Sequence, residues 1–437
     1  MGKGLKFANE LKLILFSAII GAVAGIVFWL LLFCVHWGTY LLWDFIPENV
    51  LTFSWYPILA CTVGGLIIGI VRKIHGDYPE DMMMVFGKLK KNKTYPYKKI
   101  FVIFFAALLP LIFGSSVGPE AGMVGVMVAL CCWAGDNLKF AGSQSAYYSK
   151  VGAAVSLSVM FRSPLFGMLN VEEGIEGDIL ESEDDSNNDN SNERQPITKL
   201  SKVIIYCIAT GAGFLCFWFL NQIFGKVSEG FPTFESITLD RADYLLFFLY
   251  LLCGIILGLF FEYSEKLFEK IGKILPPIIS ETIAGVILGI VSMLLPVIQF
   301  SGEEQMGILI SDFALYAPIA MVGIAFLKVI MTNMCIQLGF KGGHFFPLIF
   351  AAVCFGYGLA LMIYPGSSEH AIFAAAVVTA ATLGTSMKKP LAASMLLLLC
   401  FPAKSLLWTV PAAALASFVG KYLVKDKSST KSDNRDI

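Results

Sequence analysis

Apolar residues along this chain come in long runs, not in the spaced stripes of a soluble amphipathic helix. The first run extends from Leu13 to about Val35, and roughly 20 consecutive apolar residues suffice to cross bilayer hydrocarbon as a helix. Further runs fall near 56–71, 100–113, 123–134, 202–224, 244–262, 281–300, 313–336, 345–364, 370–384, 391–401 and 405–420. Each predicts a helix, because a segment surrounded by lipid must satisfy its own backbone hydrogen bonds. Several runs, 391–401 among them, are too short to span. Short apolar pieces bounded by Gly or Pro persist at membrane depth only where their ends are buried in protein or line a wet cavity. The pattern therefore predicts an all-α, polytopic membrane protein with broken helices and a pathway.

The polar stretches between runs give an orientation. The loop from His36 to Pro57 has no Lys or Arg, whereas the next holds Arg72, Lys73, Lys88, Lys90, Lys91, Lys93, Lys98 and Lys99. Lys and Arg collect in cytoplasmic loops, which places the N-terminus in the cytoplasm. The tail, with Lys421, Lys425, Lys427, Lys431 and Arg435, predicts a second cytoplasmic end. No small-residue cleavage site follows the first run, which is too long for a signal-peptide core, so it reads as a retained membrane helix.

From Glu176 to Arg194 the chain reads EGDILESEDDSNNDNSNER. Such an acidic, Asn- and Ser-rich stretch buries too little apolar surface to offset its ordering entropy and predicts a disordered loop. The organisation is then a cytoplasmic segment 1–12, a first membrane half 13–175, the acidic cytoplasmic loop 176–198, a second half 199–424 and a tail 425–437. The halves echo each other. Gly118 and Pro164 are separated by 46 positions, Gly343 and Pro390 by 47. In each half a Gly-rich break precedes an apolar stretch, and a basic residue then precedes Pro-Leu, in FRSPLFG from Phe161 and MKKPLAA from Met387. Matching interruptions in two halves point to a binding site between inverted repeats.

Composition sharpens this reading. Of 437 residues, 57% are hydrophobic and 15% charged, with a mean hydropathy of +0.72; that much apolar surface excludes a soluble domain. The net charge of −1 gives no global attraction for nucleic acid, and none is expected as a partner. The 10 cysteines, Cys34, Cys61, Cys131, Cys132 and Cys400 among them, lie in apolar stretches without metal-site or disulfide spacing. With only 4 His, and no HExxH, nucleophile elbow or P-loop, the chain shows no machinery for an enzyme, a metal or a cofactor.

Two breaks carry the candidate chemistry. In GSSVGPEAGMVG, Gly114 to Gly125, Pro119 suits a first helical residue and the glycines admit a close backbone approach. A helix N-terminus offers N–H groups without an intrahelical acceptor and the positive end of a dipole, which attract anions, more strongly inside a membrane than in water. Glu120 lies in this first turn. Its carboxylate can occupy an anion site or leave it once protonated; it can equally be an ordinary helix-start carboxylate. In LGFKGGHFFPLIF, Leu338 to Phe350, Gly342 and Gly343 open a second helix with His344, Phe345 and Phe346 in its first turn. His344 can titrate near neutral pH, although a lone His at a helix start also serves as a structural donor.

These motifs resemble those of the CLC chloride channel and anion transporter family. VGPEAG is similar to its GREGP, GGHFFP to its GGxFxP, and FRSPLFGMLNVEE to its F-x-x-PL-x-G segment ending in paired glutamates. SGEEQMGI from Ser301 resembles its glycine-bearing stretch before the second anion helix, and MKKPLAASMLLLL its late Pro-Leu helix. Order and spacing hold from about residue 10 to 420. The resemblance implies an inverted-repeat, broken-helix fold and a homodimer with one pore per subunit, carrying small anions, chloride first, across a cell membrane. It assigns Glu120 as the gating glutamate, His344 and Phe345 to the amides that hold the anion from the second repeat, and Gly118 through Gly122 to the opposite side, with Gly343 opening the second helix.

Departures accompany it. HGDYPED from His75 aligns with GSGIPE and puts Gly76 where a serine coordinates the anion. Pro119 replaces the arginine before the gating glutamate. Gly174 takes the place of a cytoplasmic-side glutamate found in proton-coupled members, leaving Glu172 and Glu173 as candidate relays. Tyr422 lies too early for the family's late pore tyrosine and reads as an interfacial anchor. The competing function is a cation-coupled transporter of organic solutes, which also uses broken helices but wants carboxylates or helix C-termini at the midplane.

Overall fold

The computed structural model describes residues 2–423 apart from 83, 86, 89–94, 138–144, 164, 171–198, 228–230, 235–238, 240, 312–315 and 366–367. The helices are α1 (Gly2–Thr39), α2 (Tyr56–His75), α3 (Ile100–Ile112), α4 (Glu120–Asn137), α5 (Ser145–Met160), α6 (Lys199–Phe224) and α7 (Arg241–Ile274). They continue with α8 (Ile279–Leu294), α9 (Glu303–Ser311), α10 (Pro318–Gln337), α11 (Phe345–Ile363), α12 (Ser368–Met387), α13 (Pro390–Leu397) and α14 (Leu406–Leu423). Among the described residues eight helices are long and apolar enough to cross a membrane, and α4, α5 and α8 provide shorter apolar pieces.

Proline sets several boundaries. Pro57, Pro318 and Pro390 stand in the first turns of α2, α10 and α13, where a missing N–H loses no helix bond. The apolar run to residue 300 ends its helix at Leu294, because Pro296 cannot continue the hydrogen-bond ladder.

The chain folds into two compact units that are not the two sequence halves. Unit 1 comprises residues 1–40, 78–108 and 119–228; unit 2 comprises 41–77, 109–118 and 229–437. In unit 1, α1 lies directly on α6: Gly21 and Gly25 abut the Ala209 and Gly213 backbones, Phe28 stacks on Phe217, and Trp29 Nε1 donates to Asn221 Oδ1 at 3.0 Å. Small residues at such a contact let helices associate where lipid supplies no hydrophobic drive. In unit 2, α2 meets α8 in the same way through Gly65 and Gly285. Its centre is formed by α11 and α12, each buried over 83% of its most apolar window. Leu215 and Phe219 on α6, and Leu407 and Phe418 on α14, are all more than half exposed; in a membrane such side chains meet lipid.

Candidate functional site

The first break is built from residues 109–118 of unit 2. Pro110 lies inside the last turn of α3, and its carbonyl accepts both the Ser115 N–H at 3.0 Å and the Ser115 Oγ–H at 2.7 Å. Gly114 turns the chain at φ +75°. The second break follows α10: Phe340 N–H donates to Cys335 O at 2.8 Å, and Gly339 turns at φ +113°. The two breaks then pair. Gly118 N–H donates to Gly343 O at 2.8 Å, and Gly343 N–H to Gly118 O at 2.7 Å, an antiparallel bridge between residues from opposite halves of the sequence. Beside it, Ser116 Oγ lies 3.1 Å from Thr332 Oγ1 on α10.

This bridge refines the expectation drawn from sequence. The N–H groups of Gly118 and Gly343 are each taken by the other's carbonyl. Gly76 likewise gives its N–H to Arg72 O at 2.9 Å, closing the C-terminus of α2 at φ +100°. Amides without an intrahelical acceptor lie further along, in the first turns of the helices that follow the two segments. In unit 2 that helix is α11, with His344 at its N-cap and Phe345 buried at 6% exposure. The His344 ring packs against Phe261 and Phe345, with centroids 5.1 and 4.6 Å away.

In unit 1, Pro119 leads into α4, where Met123 N–H donates to Pro119 O at 3.1 Å. Glu120 is the first residue of this helix and only 3% exposed. Gly122 abuts Ala107 Cβ, so its missing side chain lets α3 approach α4. Tyr95, also in this unit, is buried at 1% exposure; burial, then the nearby Glu80 carboxylate, push its phenol well above the usual range and keep it neutral. Glu172 and Glu173, like the acidic loop 176–198, lie outside the described residues.

Two charged groups escaped the sequence reading. Glu281, with a wholly buried side chain, accepts Arg72 Nη1 at 2.7 Å and the Ile278 N–H at 2.6 Å. Arg72 Nε reaches Asp77 at 2.7 Å, and Lys341 Nζ reaches the same carboxylate at 3.5 Å. The second group is Lys328, at 0% exposure inside α10. Its ammonium donates to Ile298 O at 2.8 Å and Phe300 O at 2.7 Å, and lies 5.2 Å from the Phe350 ring centroid. Phe300 N–H in turn donates to Gly114 O at 3.2 Å. Lys328 and Thr332, one turn apart, thus brace the first break from α10.

The sequence signal for Lys328 was an ionisable residue inside an apolar run, which is a site by default. Lys328→Met is expected to lower stability by about 2 kcal/mol, since the carbonyls of Ile298 and Phe300 lose their donor while the ammonium's desolvation is relieved. Thermal unfolding in detergent checks this; an unchanged midpoint would refute it.

The same arrangement of helices occurs in solved proteins. The protein-family description "Voltage gated chloride channel" matches residues 63–421. The chain belongs to the voltage-gated chloride channel, or CLC, family. Its members carry anions as channels or as anion/proton antiporters and are not enzymes, so this is a multi-pass CLC protein of anion transport. Among similar structures, a CLC-type fluoride/proton antiporter is 19% identical with a TM-score of 0.72, covering 94% of this chain and 96% of its own. A slow cyanobacterial chloride/proton antiporter is 16% identical with a TM-score of 0.73, covering 94% and 95%. A eukaryotic CLC transporter is 15% identical with a TM-score of 0.67, covering 94% and 72%. At these identities the likeness establishes the fold. No curated protein matches the chain.

Proposed function

We propose that this CLC protein conducts small anions, chloride first, past the first turns of α4 and α11, with Glu120 as the gate. The reciprocal Gly118–Gly343 bridge carries the reading, because it ties together the two segments that lead into these helices. Helix starts attract anions through their amides and dipoles, and little water competes at membrane depth. Gly118, Gly343 and Gly76 serve as backbone scaffolding for the site, while Gly122, His344 and Phe345 belong to the helix turns that face the anion. The Glu120 carboxylate competes with the anion for the start of α4; protonation removes its charge and releases the site.

Antiport with protons is the mode to test first, since two of the similar structures are antiporters. Glu172 or Glu173 would then relay protons in place of the missing glutamate at Gly174. A homodimer in a cell membrane, with both termini in the cytoplasm, completes the proposal; the Lys and Arg bias of the loops supports that orientation. A cation-coupled carrier of organic solutes is not favoured by the family to which the chain belongs.

The test is Glu120→Gln in proteoliposomes, with chloride flux and external pH recorded together. The neutral side chain is expected to give chloride flux without its pH dependence and to abolish any uphill proton movement. Flux that matches the wild type at every pH would remove Glu120 from the gate.

A further inference from the structure

Within unit 2, the corner beyond α2 holds a second arrangement of charge. Arg72 is fixed at one end: its Nη1 binds the wholly buried Glu281 at 2.7 Å. Its Nε faces outward to Asp77, whose side chain is 54% exposed. Lys341, with 22% of its side chain exposed, approaches Asp77 from the turn before Gly342 and Gly343 at 3.5 Å. Asp77 itself follows Gly76. A carboxylate at the solvent edge is therefore clasped by one rigid and one pliable cation, beside both backbone segments that the proposed site uses in this unit.

Asp77 is poorly explained as a structural residue. Arg72 already has its buried partner, and an ion pair exposed to this degree contributes only about 0–1 kcal/mol. The carboxylate can leave at little cost, and the cations it leaves would hold another small anion. Its charge also balances the pairs at this corner: Arg72 and Lys341 stand against Glu281 and Asp77.

We propose that Arg72 and Lys341 form a loading site for small inorganic anions, with Asp77 as a tethered carboxylate that the incoming anion displaces. The inference rests on the anion-transport reading and adds to it a site outside the helix turns. Chloride flux in proteoliposomes, measured over a range of chloride concentrations at low ionic strength, tests it. Asp77→Asn is expected to lower the half-saturating chloride concentration about fivefold, the scale of one unit charge near 4 Å in water. An impermeant salt should erase the difference. Lys341→Gln is expected to raise the half-saturating concentration, and to do so also where Asp77→Asn yields no folded protein. A wild type that transports chloride, with half-saturation unchanged in both variants, would overturn the loading site alone. A wild type that transports no anion would overturn the transport reading and the loading site with it.

Discussion

Glu281→Ala is expected to destabilise the protein by about 3 kcal/mol, measured as the shift of thermal unfolding in detergent. Removing one partner of a buried ion pair costs about 3–5 kcal/mol because the other charge is stranded. Here the lower end applies: Arg72 is 24% exposed and keeps Asp77 at 2.7 Å. A second loss adds to the first. Ile278, a branched residue held at φ +78°, gives its N–H to Glu281 Oε2 at 2.6 Å, and such a backbone conformation persists only while its surroundings enforce it. The carboxylate also fills the space beside Gly339, where a Cβ would strike Oε1. Deleting it opens a void under the turn that leads to Gly343. Glu281→Gln keeps the shape and loses the charge, so it should fall between wild type and Glu281→Ala. A Glu281→Ala protein that melts with the wild type would show that Arg72 and the Ile278 corner are held by other means.

The same residue shows where sequence reading stops. The helix runs, the two Gly-rich breaks and their order were legible, because hydropathy and glycine placement are local and the bilayer leaves the backbone few alternatives. Pro296 corrected one boundary by a rule equally visible in the sequence. Glu281 was not legible: its partner Arg72 lies on another helix and far away in the chain, and neither residue belongs to a motif. Lys328 was missed although it stands as an ionisable residue within FLKVIM, and its role could not be read there, since its acceptors are backbone carbonyls of 298 and 300. At the breaks, the placement of the glycines was legible and their pairing was not. A glycine marks a close approach without saying to what; at Gly118 and Gly343 the approach is to each other, and their amides are used in it.

That pairing makes Gly342 the position where one methyl group should matter most for function. A Cβ at Gly342 would overlap the Val117 side chain, with Val117 Cβ 2.7 Å and Gly118 O 3.0 Å away. Neither neighbour can yield: Val117 is wholly buried and stiff at its branch point, and Gly118 O accepts the Gly343 N–H. Overpacking of this kind costs about 1–3 kcal/mol. The bridge is the contact most easily given up to relieve it, so the two breaks should part. Gly342→Ala is therefore expected to lose most of its anion flux for a modest fall in melting temperature. Gly323→Ala on α10 is the control, since a Cβ there meets nothing within 4 Å and alanine favours a helix by about 1 kcal/mol. It should melt no lower than wild type and transport normally. If Gly342→Ala also transports normally, the bridge is dispensable, and the proposal that it sets the geometry of the anion site fails even though the fold stands.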